Sequence, residues 1–418
     1  EDVIRVFKKY IKNRKAVICQ VRPKSPFVEK LDSMISINPN SKLILEEDPQ
    51  YQGLIYNRPN DSFNRSIQPK PSSSKAAIIP DYYEETFKNG LKIIGTKSSE
   101  IPKVYMQLKI NGGGLLVNKK LNGLAELTAD MMNESTSKYT SEKISVELQK
   151  LGSSVSFSAD EDGTVMYIES LVKNIDATLI IAEEKLLRPA FNNNDFKRVK
   201  KQTKESLEAS KKNAQVLGIT YFRNKLFGET AFGRVTSEKS IKKIKLSDVK
   251  SYYNNYSPSI SSLVVVGDID RDTLLSKIDF LKNWGTKKVE VPSEFNFPTS
   301  NETQIYLLDK EGASQSFIMM GHLSDKFDVD GDHFKSQIMN YPLGGSMSSR
   351  FFLSLREDKG WTYSPQTLFN ASDKTGAFMM MASVKTEATD SVLIEVFREF
   401  NSYTTEGITE DELRFTKD

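Results

Sequence analysis

The chain has 418 residues, enough for two or three domains, with 38% hydrophobic and 27% charged side chains. Its 58 basic and 55 acidic residues leave a net charge of +3, which gives no ground for a nucleic-acid ligand, where a clustered basic stripe is expected. No apolar run approaches the ~20 residues of a membrane span; the single cysteine, Cys19, excludes an internal disulfide, and two histidines, His322 and His333, all but exclude a site built on several imidazoles.

Taken from the start, Asp2 to Tyr10 has helical spacing, and Ala16 to Val21 reads as a strand. The pair recurs 246 residues later: Asp248-Val249 matches Asp2-Val3, Tyr256 matches Tyr10, and Leu263-Val264-Val265 matches Val17-Ile18-Cys19. Residues 1–22 are therefore expected to close a preceding domain, and residues 23–78, rich in Pro, Ser, Asn and charge, to be a linker.

Residues 79–290 read as a complete domain of strands and helices. Alternation predicts strands at Leu91–Gly95, Val104–Ile110, Val155–Ser158, Val165–Leu171 and Leu263–Val266. Helical spacing predicts helices at about Gly123–Glu134, Ser141–Leu151, Ile175–Leu187, Asn194–Lys212, 246–256 and 271–283. Residues 291–418 read as a second, truncated domain, with strands at Gln304–Leu308 and Ser316–Met320 and a helix at 333–341. Gly344-Gly345 then interrupts the chain before a helix from Ser346, as N-cap, to about Asp358 with Gly360 at its end. Two further strands and a helix at Ser391–Tyr403 complete the pattern. Glu161–Ser170 echoes Lys374–Ser383, each a Gly-containing turn leading into an apolar strand. The expected fold class is α/β (α+β), two related domains, each a mainly antiparallel sheet covered by helices.

Three stretches carry a resemblance: Ile110-Asn111-Gly112-Gly113 to Gly123-Leu124-Ala125; Phe227-Gly228 through Phe232-Gly233-Arg234 to Ser240-Ile241; and Gly344-Gly345-Ser346-Met347-Ser348-Ser349-Arg350 through Leu355-Arg356-Glu357 to Gly360-Trp361-Thr362-Tyr363-Ser364. Over residues 80–418 the chain resembles the pitrilysin/insulinase zinc metallopeptidases, which include the mitochondrial processing peptidases. That resemblance implies an inverted zinc motif, His-x-x-Glu-His, on one helix, with the Glu as general base and a third ligand about 75 residues on. Here the motif positions hold Glu126, Ala129 and Asp130, and Glu205 falls at the third-ligand position. Both imidazoles and the base are gone, so no metal is expected on this chain; zinc is expected on a catalytic half, placed upstream in the same polypeptide. Glu126, Asp130 and Glu134 share one helix face and read as a solvated acidic stripe paired with nearby lysines. The two histidines read as loop residues flanking Ser324–Asp332.

The resemblance also implies that Arg356 and Tyr363 reach from a non-catalytic half towards that zinc. There the Tyr hydroxyl would donate to the oxyanion and the Arg would hold a substrate carbonyl. On the residues alone, Arg356 also suits capping of its helix C-terminus and Tyr363 packing on a sheet edge. The expected function is that of a substrate-contacting half, inactive by itself, of a two-half zinc peptidase acting on peptides or unfolded segments held as an added strand. The alternative is a structural subunit that keeps the fold without activity.

Overall fold

The computed structural model describes residues 2–12, 14, 64, 67, 78–300 and 302–417. The expected strand Ala16–Val21 and almost all of the expected linker lie outside them. The chain divides into two compact units, Glu1–Lys70 and Pro71–Asp418. In the first, Asp2–Tyr10 forms helix α1, with Val3, Ile4 and Phe7 exposed.

The second unit holds two sheets. The larger comprises β1 (Tyr83–Thr86), β2 (Lys92–Lys97), β3 (Lys103–Asn111), β4 (Ser154–Ala159), β5 (Gly163–Leu171) and β6 (Ser261–Gly267), in the order β1-β2-β6-β3-β5-β4. Only the β2–β6 pairing is parallel. Alternation decides the faces: Val104, Met106, Leu108 and Ile110 of β3 turn into the core with Leu263 and Val265 of β6. Tyr105, Val264 and Val266 point the other way and are exposed.

The covered face carries α2 (Leu124–Met132), α3 (Ser141–Leu151), α4 (Ile175–Leu187), α5 (Asn193–Ser210), α7 (Glu238–Lys243), α8 (Leu246–Tyr253) and α9 (Arg271–Lys277), while α6 (Ala214–Phe227) lies between α5 and α7 in the chain. Of these, α2 contacts β4, α5 and α8, whereas α6 lies against the second sheet. α6 has no counterpart among the expected helices. Gln215 and Arg223 interrupt its apolar side, formed by Val216, Ile219, Phe222 and Leu226, and Leu217 and Tyr221 lie opposite, which erases the amphipathic stripe.

The second sheet is wholly antiparallel, β7 (Gln315–Ser324), β9 (Gly376–Lys385) and β8 (Gln366–Ala371) in that spatial order. α10 (Asp332–Asn340), α11 (Arg350–Phe352), α12 (Thr389–Glu406) and α13 (Glu410–Lys417) accompany it. Its core joins Met380, Ala382 and Val384 of β9 to Phe351, Leu355, Val392 and Val396. The expected strand Gln304–Leu308 is absent. Ile305, Tyr306, Leu307 and Leu308 form a short apolar run yet all four are exposed, and the segment pairs with no strand among the described residues. A short apolar run does not make a strand without a partner to satisfy its backbone.

The two sheets meet through an ion cluster and an aromatic one. Asp162 Oδ2 lies 2.6 Å from Lys109 Nζ, and Asp162 Oδ1 2.6 Å from Lys374 Nζ in the β8–β9 turn. Beside this, Phe227, Phe232, Phe295 and Phe297 pack with Ala377, Leu323 and Met379. Burial would raise the Asp162 carboxyl, but the two lysines outweigh it and hold it below the usual range.

Candidate functional site

Two arrangements matter: the helix at the metal-motif positions and the Arg356–Tyr363 pair. On α2, Glu126 and Asp130 share a face one turn apart, whereas Ala129 turns inward and is 0% exposed, packed in the hydrophobic core. Burial, followed by the charges of Glu161, Asp130 and Asp160, pushes the Glu126 carboxyl up to about 7. Asp130 is raised in the same sense, by desolvation and by Glu134. Neither forms an ion pair among the described residues, contrary to the expected lysine-paired stripe. Glu134 is paired instead with Arg198, and Glu205, largely exposed on α5, with Lys201 at 3.7 Å.

This donor set does not fit zinc. The base position is a buried methyl group, Glu205 faces solvent, and the described residues contain no group of three or more His, Cys, Asp or Glu able to hold a metal. The histidines also stand apart and are not loop residues as expected. His322 lies within β7, its Nδ1 2.8 Å from the Leu323 carbonyl, and His333 is buried in the first turn of α10.

The second arrangement is built on the stretch 341–363. Tyr341–Gly345 is a π-helical turn that extends α10, so the glycine pair does not simply stop a helix. Gly344 is required by close approach: a Cβ there would come 2.3 Å from Thr367 Oγ1 and 2.9 Å from the Phe351 ring. The next helix starts at Arg350, not Ser346, and Ser349 is its N-cap residue without a side-chain cap bond. From Arg350 it runs through α11 into a π-helical segment, Leu353–Asp358.

One face of this helix buries Phe351 and Leu355. Its start is tied to α13 and the loop before it by Arg350, which bonds both Glu412 carboxylate oxygens at 2.5 and 2.8 Å and the Gly407 carbonyl at 2.8 Å. Ser354 donates to Glu395 of α12, whose carboxyl Arg398 holds down at about 2. Gly360, at φ +61°, ends the helix; its N–H donates to the Arg356 carbonyl at 3.0 Å and that of Trp361 to the Leu355 carbonyl at 3.0 Å. Thr362 then pairs with Val384, and its hydroxyl donates to the Ser383 carbonyl at 2.7 Å.

The chain on both sides of Arg356 and Tyr363 is thus fixed, and the structure brings the two side chains together. The Arg356 guanidinium carbon lies 4.6 Å from the Phe352 ring centre and 4.4 Å from that of Tyr363, with Nε 3.3 Å from Glu357. Tyr363 is 76% exposed. It does not pack on a sheet edge. Phe352 was not singled out from the sequence, although its i,i+4 spacing from Arg356 is the signal that finds it.

Residues 92–238 match the family described as insulinase (peptidase family M16), and residues 243–418 match the peptidase M16 inactive domain. The chain belongs to peptidase family M16. Among curated M16 relatives it is 25% identical to the "non-peptidase homolog YmxG" of Helicobacter pylori, over 79% of this chain and 77% of that protein. Among solved structures it is similar to a peptidase M16 inactive domain from Pseudomonas fluorescens, with a TM-score of 0.73 at 22% identity over 81% of this chain and 82% of that one. The periplasmic protease PqqL of Escherichia coli shares the fold with a TM-score of 0.63 at 17% identity, over 82% of this chain but 40% of PqqL. The fold expected from the sequence, helices on mainly antiparallel sheets, is the M16 fold. Among the described residues no helix is long and apolar enough to cross a membrane.

Proposed function

We propose that this M16 chain is a non-catalytic half of a two-half zinc peptidase, inactive alone, that contributes Arg356 and Tyr363 to a site completed by a zinc-bearing half. The observation that carries this reading is the contact of a half-buried Arg356 with an exposed Tyr363. A cation–π contact at the surface contributes only about 0.5–1 kcal/mol, too little for stability to explain a helix, a Gly360 turn and a strand bridge arranged around it. Tyr363 keeps its hydroxyl free of any protein partner among the described residues, as a donor awaiting an oxyanion must. Arg356, lying over the Phe352 and Tyr363 rings, offers its remaining N–H groups to a carbonyl or carboxylate.

The catalytic elements support the same division. With Ala129 buried and no imidazole at 126 or 130, the chain lacks the base and the ligands of the motif and needs a partner half to supply them. Sharing the fold with 40% of PqqL is consistent with one half of such an enzyme. The substrate class is an extended or unfolded peptide. The alternative, a structural subunit that keeps the fold without activity, leaves the exposure of Tyr363 unexplained. Reconstitution decides between them: the chain added to a zinc-bearing M16 half should raise peptide cleavage, and a rate unchanged by addition of a chain that does associate refutes the substrate-contacting role.

A further inference from the structure

β4 is the outermost strand of the six-stranded sheet and pairs only with β5. In an antiparallel pair, alternate residues direct both backbone polar groups away from the neighbouring strand. On β4 three of these outward groups, both of Phe157 and the carbonyl of Val155, are already taken. The Phe157 N–H donates to Asn133 Oδ1 at 2.8 Å, and Asn133 Nδ2 donates back to the Phe157 carbonyl at 2.8 Å. Lys185 Nζ donates to the Val155 carbonyl at 2.6 Å and to Asn133 Oδ1 at 3.2 Å. The Asn133 carboxamide therefore presents one acceptor and one donor, as the backbone of an added strand would.

Both plugging residues are held from behind. Asn133 is the C-cap residue of α2, and Lys185 lies in α4 at 2% exposure. Lys185 forms no ion pair among the described residues, and burial pushes its ammonium down to about 8. A buried cation without a carboxylate is costly, and what it gains here is the strand-edge carbonyl and the carboxamide.

We propose that Asn133 and Lys185 form a built-in plug that occupies the hydrogen-bonding positions of a seventh strand and closes the β4 edge to extended peptides. A bare edge is the usual template for strand addition by a peptide or by another copy. This edge is satisfied at its middle, at Val155 and Phe157, so a peptide handled by the chain binds away from β4. The plug is independent of the role given to Arg356 and Tyr363.

The test uses amide exchange and a labelled peptide of the β5 sequence, Gly163–Leu171, the natural neighbour of β4. In the unaltered protein the Phe157 amide should exchange slowly, and the peptide should neither bind nor add protection along β4. Asn133→Ala should speed Phe157 exchange about tenfold, the effect of losing one hydrogen bond of ordinary strength. With Lys185→Met added, the β4 edge should bind the peptide. Should that double variant fail to fold, the peptide titration of the unaltered protein still decides. Protection gained at β4 there, or Phe157 exchange unchanged in Asn133→Ala, overturns the proposal.

Discussion

The Arg356 guanidinium lies 4.4 Å from the centre of the Tyr363 ring and 4.6 Å from that of Phe352. Arg356 and Tyr363 are seven positions apart in sequence, and a helix end, the left-handed Gly360 and the Thr362–Val384 bridge bring them into contact. Because Tyr363 is exposed and Arg356 lies outside the core, each can be altered without opening the core. Tyr363→Phe and Arg356→Ala should each shift unfolding free energy by no more than about 1 kcal/mol, measured by urea denaturation. A loss of several kcal/mol for either would assign the pair to stability.

Asp162 gives the opposite expectation. It sits between Lys109 and Lys374 where the two sheets meet, and its carboxyl is held below the usual range. A depressed acid contributes stability above its unfolded pKa and loses it as pH falls through the folded value. The native state should therefore lose this contribution below about pH 4. Asp162→Asn leaves Lys374, nearly buried, with only Asp373 beside it and should cost about 3 kcal/mol at neutral pH. Denaturation at pH 7 and pH 3 checks both parts: the two proteins should differ at pH 7, and the difference should shrink at pH 3.

Glu126 predicts a trend of the other sign. Its carboxyl is pushed up to about 7 by burial and by Glu161, Asp130 and Asp160. An acid raised on folding penalises the native state above its folded pKa, and the penalty is relieved as pH falls from about 7 towards its ordinary value. Glu126→Gln should stabilise the protein at pH 8 and flatten the rise in stability between pH 8 and pH 5, read from denaturant midpoints. Equal pH profiles for the two proteins would remove Glu126 as the cause.

The metal reading is checked directly. Purified from zinc-supplemented medium and dialysed, the chain should retain well under one zinc per molecule by elemental analysis, because positions 126, 129 and 130 offer carboxylate, methyl and carboxylate. One retained zinc per chain would show a site that the α2 geometry does not provide.

How far the sequence reached depends on local signals. Ser141–Leu151 was legible end to end because Thr140 caps it through the Lys143 N–H and Gly152 closes it. Ile175–Leu187 was equally plain. α6 escaped because Gln215 and Arg223 interrupt its apolar side, which meets β7. Gln304–Leu308 misled because a short apolar run appeared without a partner strand. At the metal positions the residue types alone showed the loss of ligands. They did not show that Ala129 lies in the core or that Glu126 lacks a cation. The Arg356–Tyr363 contact followed from Gly360, whereas the Asn133–Phe157 exchange joins residues 24 apart and needed the fold to be seen.

The central claim is that Tyr363 acts on the substrate of an assembled peptidase. Its most direct test is the turnover number of the enzyme reconstituted from this chain and a zinc-bearing M16 half, with Tyr363 or with Phe at that position. Tyr363→Phe should lower kcat about 10²–10³-fold, the usual loss for one oxyanion donor, with the assembly intact. An unchanged kcat in an intact assembly would contradict it.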